Sequence, residues 1–179
     1  MKRLLICAGI LAGSAVLFAQ QHKAPASPPE TATGTIGGAS VSIKYSSPRL
    51  RGREGKVYGK DGLIATAHGS QYPIWRAGAN AATTLTTDKN LKIGDIDVPA
   101  GTYTLFVDIT NPDQWTLIVN KKTGEWGLQY TASEDLGKTK MHMSKPSSTV
   151  EDLKWTIGSN KFTLAWENKE ASVPVHAEK

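Results

Sequence analysis

An all-β fold is predicted for this chain: a single β-sandwich of jelly-roll or related type, with a closed barrel as second choice. Three observations predict it. Apolar residues recur every second position through most of the chain, turn residues punctuate the alternating runs, and no stretch of ten residues carries a helical apolar stripe. Strands that are apolar on one face only must bury that face against another layer, and two facing sheets do so.

The first segment is a leader. In "MKRLLICAGILAGSAVLFAQQ" two cations precede an apolar run from Leu4 to Phe18, followed by Ala19 and polar sequence. That is the layout of a secretory signal peptide over 1–19, and the run is shorter than the roughly 20 residues of a transmembrane helix. Cys7 is the single cysteine and would leave with the leader, so the mature chain would hold no disulfide, thiolate nucleophile or cysteine metal ligand. About 140 remaining residues suffice to build a core without bridges.

Residues 20–35 follow, reading "QQHKAPASPPETATGT". Pro25, Pro28 and Pro29 among small polar residues, with no apolar period, predict a flexible linker. The folded domain is expected over 36–177.

Within it the faces alternate. "SVSIKYS" sets Val41, Ile43 and Tyr45 on one side, "TYTLFVDI" sets Tyr103, Leu105 and Val107, and "QWTLIVN" sets Trp115, Leu117 and Val119. Leu153, Trp155 and Ile157 form the next set, then Phe162, Leu164 and Trp166, and finally Val173 and Val175. Turns are expected at Gly94-Asp95, Ala100-Gly101, Pro112-Asp113, Gly124 and Ser159-Asn160. The best helical candidate is one turn over Thr131 to Leu136, with Thr131 or Ser133 as cap.

The blocks "SSPRLRGREGKVYGK", "WRAGANAATTLTTDKNLKIG", "VPAGTYTLF", "WTLIVNKKTGEWG" and "LAWENKEASVPV" occur in this order. Together they resemble the bacterial family known as domain of unknown function 2911, from about Ser40 to Val175. The resemblance implies an exported all-β domain and carries no assigned activity. Two departures stand out: "HGSQYPI" replaces a "VPYG"-like segment before Trp75-Arg76, and Lys138 stands where an arginine is usual.

Formal charge is +5, and +3 once Lys2 and Arg3 of the leader are set aside. Well-mixed charge at that level argues for solubility and against a nucleic-acid partner, which calls for a clustered basic stripe. No stable membrane insertion is expected after leader cleavage. Histidines at 22, 68, 142 and 176 lack metal-ligand spacing, and Asp88, Asn90 and Lys92 break the pattern of a calcium loop, so no metal is expected. Met141 and Met143 flank His142, and on a strand the two methionines share one face as core residues. No nucleophile elbow or phosphate-binding glycine loop supports catalysis or a cofactor.

What remains is a set of binding candidates. Three arginines fall within "PRLRGRE", and Arg76 follows Trp75. Guanidinium forks match carboxylates and phosphates, so if the chain forms a pocket, Arg49, Arg53 and Arg76 are expected to hold an anion in it, with Asn80 as a polar contact and His68 as an adjacent donor. The structural alternative pairs Arg76 with Asp108 or Glu167. Gly78 and Asn80 suit a corner leading into a strand over Thr83–Thr87, whose hydroxyls are expected on the wet face. Trp126, between glycines in "TGEWG", is a candidate sugar-stacking surface residue. The expectation is therefore a periplasmic or secreted, non-enzymatic binding module for an unknown small molecule or glycan. A hydrolase or lyase using His68 and Arg76 is one alternative, and a carbohydrate-binding sandwich using Trp126 is another.

Overall fold

The computed structural model describes residues 25–124, 126 and 129–178. The leader expected over 1–19 and the start of the expected linker lie outside the described residues. The chain runs β1 (Pro29–Ile36), β2 (Ala39–Ser46), a one-turn helix α1 (Leu63–Thr66), β3 (Ile74–Trp75), β4 (Thr83–Thr87), β5 (Leu91–Ile93), β6 (Ile96–Val98), β7 (Gly101–Asp108) and β8 (Thr116–Asn120). A 3-10 turn at Ala132–Glu134 leads into β9 (Asp135–Lys140), β10 (His142–Ser144), β11 (Val150–Ile157), β12 (Lys161–Glu167) and β13 (Lys169–Ala177).

Two antiparallel sheets result, and no barrel closes. The first has the order β1-β2-β4-β7-β8-β9, with β3 pairing β7; the second has the order β11-β12-β13-β5-β6, with β10 pairing β13. The alternation read from the sequence lies on the inner faces. Val41, Ile43, Leu105, Val107, Leu117 and Val119 of the first sheet share one core with Leu153, Trp155, Phe162, Leu164, Val173 and Val175 of the second. Ile157 and Tyr45 are only partly buried at its margin. Met141 is buried, Met143 packs at the core's edge and His142 is exposed, as a shared methionine face requires.

The first strand corrects the linker boundary. Residues 29–36 pair along their whole length with β2, from Pro29↔Ser46 to Ile36↔Ala39, so the segment read as tether is in part an edge strand. It carried no apolar period because only Ile36 is buried. Pro29 is tolerated as the strand's first residue. Gly37 and Gly38, at φ +54° and +82°, form the two-residue turn in which both central residues are left-handed.

Glycine also lets the sheets meet at their open sides. A Cβ on Gly34 of β1 would stand 2.6 Å from Ile157 Cγ2 of β11, and one on Gly137 of β9 would stand 2.8 Å from Ile96 Cγ2 of β6. The two sheets thus shield each other's edges, which otherwise present unpaired backbone groups.

Two further expectations change. Thr83 and Thr87 of β4 are buried rather than wet, their hydroxyls donating to the carbonyls of Ala77 and Lys89. The outer face of the first sheet is also partly covered: Ala82, Phe106 and Ile118 form a second apolar cluster with Ile74 and Tyr130 against it. Phe106 therefore sits in an apolar run buried on both sides. The 3-10 turn falls where the single helical turn was expected, with Thr131 in the capping position but without a side-chain cap.

Candidate functional site

Three segments converge beside one end of the core. The chain leaving β2 crosses to β11, where Leu50 N–H donates to the Glu151 carbonyl and Leu153 N–H to the Pro48 carbonyl. It then turns sharply, with Arg51 at φ +51° and Gly52 at φ +72°. Arg53 is tied back on the same turn, its Nε donating to the Leu50 carbonyl and its Nη2 to the Arg49 carbonyl, both at 2.7 Å. Successive arginines therefore do not alternate as they would on a strand.

The second segment is α1 with the turn after it. The third is β3 and the corner "WRAGAN". Ala77 and Asn80 are left-handed there, at φ +52° and +57°. Trp75 Nε1 donates to the Gly78 carbonyl at 3.1 Å, and Trp155 Nε1 to the Ala77 carbonyl at 3.0 Å. A Cβ on Gly78 would lie 3.0 Å from the Ser46 carbonyl oxygen, so only glycine fits without a shift. The corner is pinned by indole hydrogen bonds from both sheets, and Arg76 is held at a fixed point within it.

Between these segments opens a cleft of about 470 Å³, in the size range of small-molecule sites, roughly 300–1,000 Å³. Arg51, Arg53 and Arg76 line it together with Ser70 and Gln71, and Trp75 and Trp166 form part of its floor. Leu63, Ile64 and Ile74 supply an apolar wall. No acidic residue is among its described lining. The floor is an aromatic cluster: Trp75 and Trp166 stack at 6.1 Å and 22°, and Trp115 meets Trp75 edge-on at 6.1 Å. Burial lowers the pKa of Arg76 from its ordinary value, yet a guanidinium stays charged through the whole physiological range.

The candidates divide accordingly. Arg53 and Arg76 are brought together, and Arg51 joins them although strand alternation gave no reason to single it out. Arg49 stands apart from the cleft lining and forms a surface ion pair, Nε to Asp152 Oδ1 at 3.0 Å, an interaction of small energetic weight. His68 is exposed and does not line the cleft, although Ala67 and Ser70 around it do. Asn80 is exposed too, and its Nδ2 donates to the Ser27 carbonyl at 3.4 Å, fastening the segment before β1. Trp126 is 61% exposed and bridged to Ala81, and neither residue lines the cleft.

Asp108 and Glu167, the carboxylates expected as structural partners for Arg76, each hold another group through one oxygen. Asp108 Oδ1 accepts from Thr110 N–H at 2.9 Å and from its hydroxyl at 2.6 Å, while Glu167 Oε1 accepts the Gly55 N–H. Lys138, one of the two departures, bonds Tyr130 Oη at 3.2 Å and Asp135 at 3.2 Å, away from the cleft lining. The other departure flanks the cleft: Tyr72-Pro73 sits between Gln71 and Ile74, both of which line it.

Among the described residues no group of three or more His, Cys, Asp or Glu side chains could hold a metal ion. Among them, too, no helix is long and apolar enough to cross a membrane.

No curated protein and no solved structure matches the chain. A family model does, over residues 27–175, from just before β1 to within β13. With nearly the whole sandwich and every described cleft residue but Ala26 inside that match, the chain belongs to the family described as protein of unknown function DUF2911.

Proposed function

We propose that this protein is an exported binding module, periplasmic or secreted, that takes a small anionic molecule in the arginine-lined cleft without chemically converting it. The observation that carries this reading is the meeting of Arg51, Arg53 and Arg76 over a tryptophan floor, with no acidic residue in the described lining. Guanidinium groups brought together beside low-dielectric walls raise the local concentration of anions and hold oxyanions through paired N–H donors. A hydrolase or lyase reading would need His68 to share the cleft with Arg76, and His68 is exposed outside its lining. A glycan reading rests on Trp126 alone, without a second aromatic described beside it.

The test is a thermal-shift screen of the mature protein against small anions, neutral sugars and divalent metals. Anions should raise Tm, and Arg76→Lys, which keeps the charge but loses the planar fork, should remove most of that rise. Stabilisation by sugars with anions silent, or an anion response that Arg76→Lys leaves untouched, would sink the proposal.

A further inference from the structure

We infer that the cleft is matched to an amphipathic oxyanion: a carboxylate or phosphate-monoester head on an apolar body, the head on the arginines and the body against α1 and β3. This rests on the binding reading above and narrows it to a ligand class.

Two arginines supply charge to the cleft. Arg53 spends Nε and one Nη2 donor on backbone carbonyls, which are neutral acceptors, so its positive charge is fixed in place without being neutralised. A guanidinium has five N–H donors, so further donors remain. Glu151, the acid near Arg51, meets that residue's backbone N–H at 2.9 Å rather than its guanidinium. Arg51 is also held at φ +51°, a backbone state that few side chains other than glycine and asparagine adopt without strain. A charged, exposed residue that lines the cleft from a strained backbone position is what a binding residue looks like.

The rest of the lining supplies the apolar surface. Leu63 of α1 and Ile74 of β3 line the cleft half-buried, while Ile64 and the Trp75–Trp166 pair line it from buried positions. The indoles are 5% and 2% exposed, too covered to act as a sugar-stacking platform, so the wall is chiefly aliphatic. An inorganic anion would leave that wall wet, and a neutral sugar would leave the charges of Arg51 and Arg53 unmatched. A ligand with both parts satisfies both.

The experiment is isothermal titration of the intact chain with octanoate and octyl phosphate, each below its micelle concentration. Acetate and inorganic phosphate serve as heads without a body, and octan-1-ol as a body without a head. At least one long-chain anion should bind about tenfold or more tighter than its short counterpart, because each buried methylene adds affinity, and octan-1-ol should bind weakly. Which of the two long anions wins assigns the head.

Arg51→Asn, a residue at ease with positive φ, should weaken the long anion about tenfold, an ion-pair-sized loss. Leu63→Ser should weaken the long anion and leave acetate unchanged, and Arg49→Gln, outside the cleft, should change nothing. If acetate or inorganic phosphate binds as tightly as the long chains, the amphipathic class is wrong while the anion-binding reading stands. If octan-1-ol binds as tightly as octanoate, or if no anion binds, both fall.

Discussion

The carboxylate of Glu167 accepts the backbone N–H of Gly55. The turn between β12 and β13 thereby holds the loop that carries Arg51 and Arg53 to the cleft. Glu167 is 3% exposed and left-handed at φ +56°, at the first position of a two-residue turn where glycine is usual. A larger residue at that angle persists because its side chain is needed there. Replacing it separates the two contributions. Glu167→Ala loses the charge-assisted hydrogen bond and keeps the strained backbone, a loss of about 2–3 kcal/mol. Glu167→Gly loses the same bond and relaxes the backbone, which makes it about 1 kcal/mol more stable than the alanine variant. Urea unfolding measures both, and equal losses would show that the turn is unstrained.

The same carboxylate acts on Tyr58. Burial first, and the negative charge of Glu167 second, push the Tyr58 phenol well above its ordinary 10.0. Burial is also the first cause of the upward shifts of Tyr45 and Tyr130. The sign follows from proton counting. Above pH 10 the unfolded chain releases phenolic protons that the folded chain retains, so stability is complete below that pH and falls as pH rises past it. Tyr58→Phe removes one such group, and with it a hydrogen bond to the Trp166 carbonyl at 3.0 Å. The variant should be about 1 kcal/mol less stable at neutral pH and should lose stability less steeply than the parent between about pH 9 and 11. Unfolding midpoints across that range check it, and parallel declines in the two proteins would refute it.

The sandwich was legible in the sequence because burial on one face imposes a period of two. Phe162, Leu164 and Trp166 are buried as that period requires, as are Val173 and Val175. Strand β1 was not legible, since an edge strand exposed on most of its length needs no apolar residues and is held by pairing to β2. A four-residue helix such as α1 is too short to show a stripe. The cleft was half legible. Composition pointed to the arginines, but period-two reasoning cannot phase a segment whose backbone turns left-handed at Arg51 and Gly52. The signal that could have found Arg51 is the Arg51-Gly52 pair itself, which marks a turn and not a strand. His68 and Asn80 stand out in the sequence by polarity and nearness to Arg76, neither of which sets the direction of a side chain.

Where β1 approaches β11, the fit of Gly34 against Ile157 predicts a coupled pair. The added methyl of Gly34→Ala would sit 2.6 Å from Ile157 Cγ2 and 3.0 Å from its Cβ, so the sheets must part there at a loss of about 1–3 kcal/mol. In an Ile157→Ala background the Cγ2 is gone, and the Gly34→Ala step should lose about 1 kcal/mol less than in the parent. A double-mutant cycle by chemical denaturation reads the coupling. Strict additivity would mean that the two strands do not meet in solution.

Arg51 offers the sharpest separation between folding and binding. Its side chain is exposed at the cleft, and its backbone occupies an angle that glycine adopts freely. Arg51→Gly should therefore leave the fold intact and raise stability by about 0.5–1 kcal/mol, relief of the left-handed strain outweighing the added freedom of the unfolded chain. The same change removes one of three charges facing the cleft, so the anion-induced rise in Tm should shrink. Stability and binding would then move in opposite directions on one substitution, as expected for a residue kept for its ligand and not for its packing. If Arg51→Gly instead lowers stability by more than about 1 kcal/mol, well outside the usual range for an exposed position, the guanidinium is a structural group and its place in the binding site has to be abandoned.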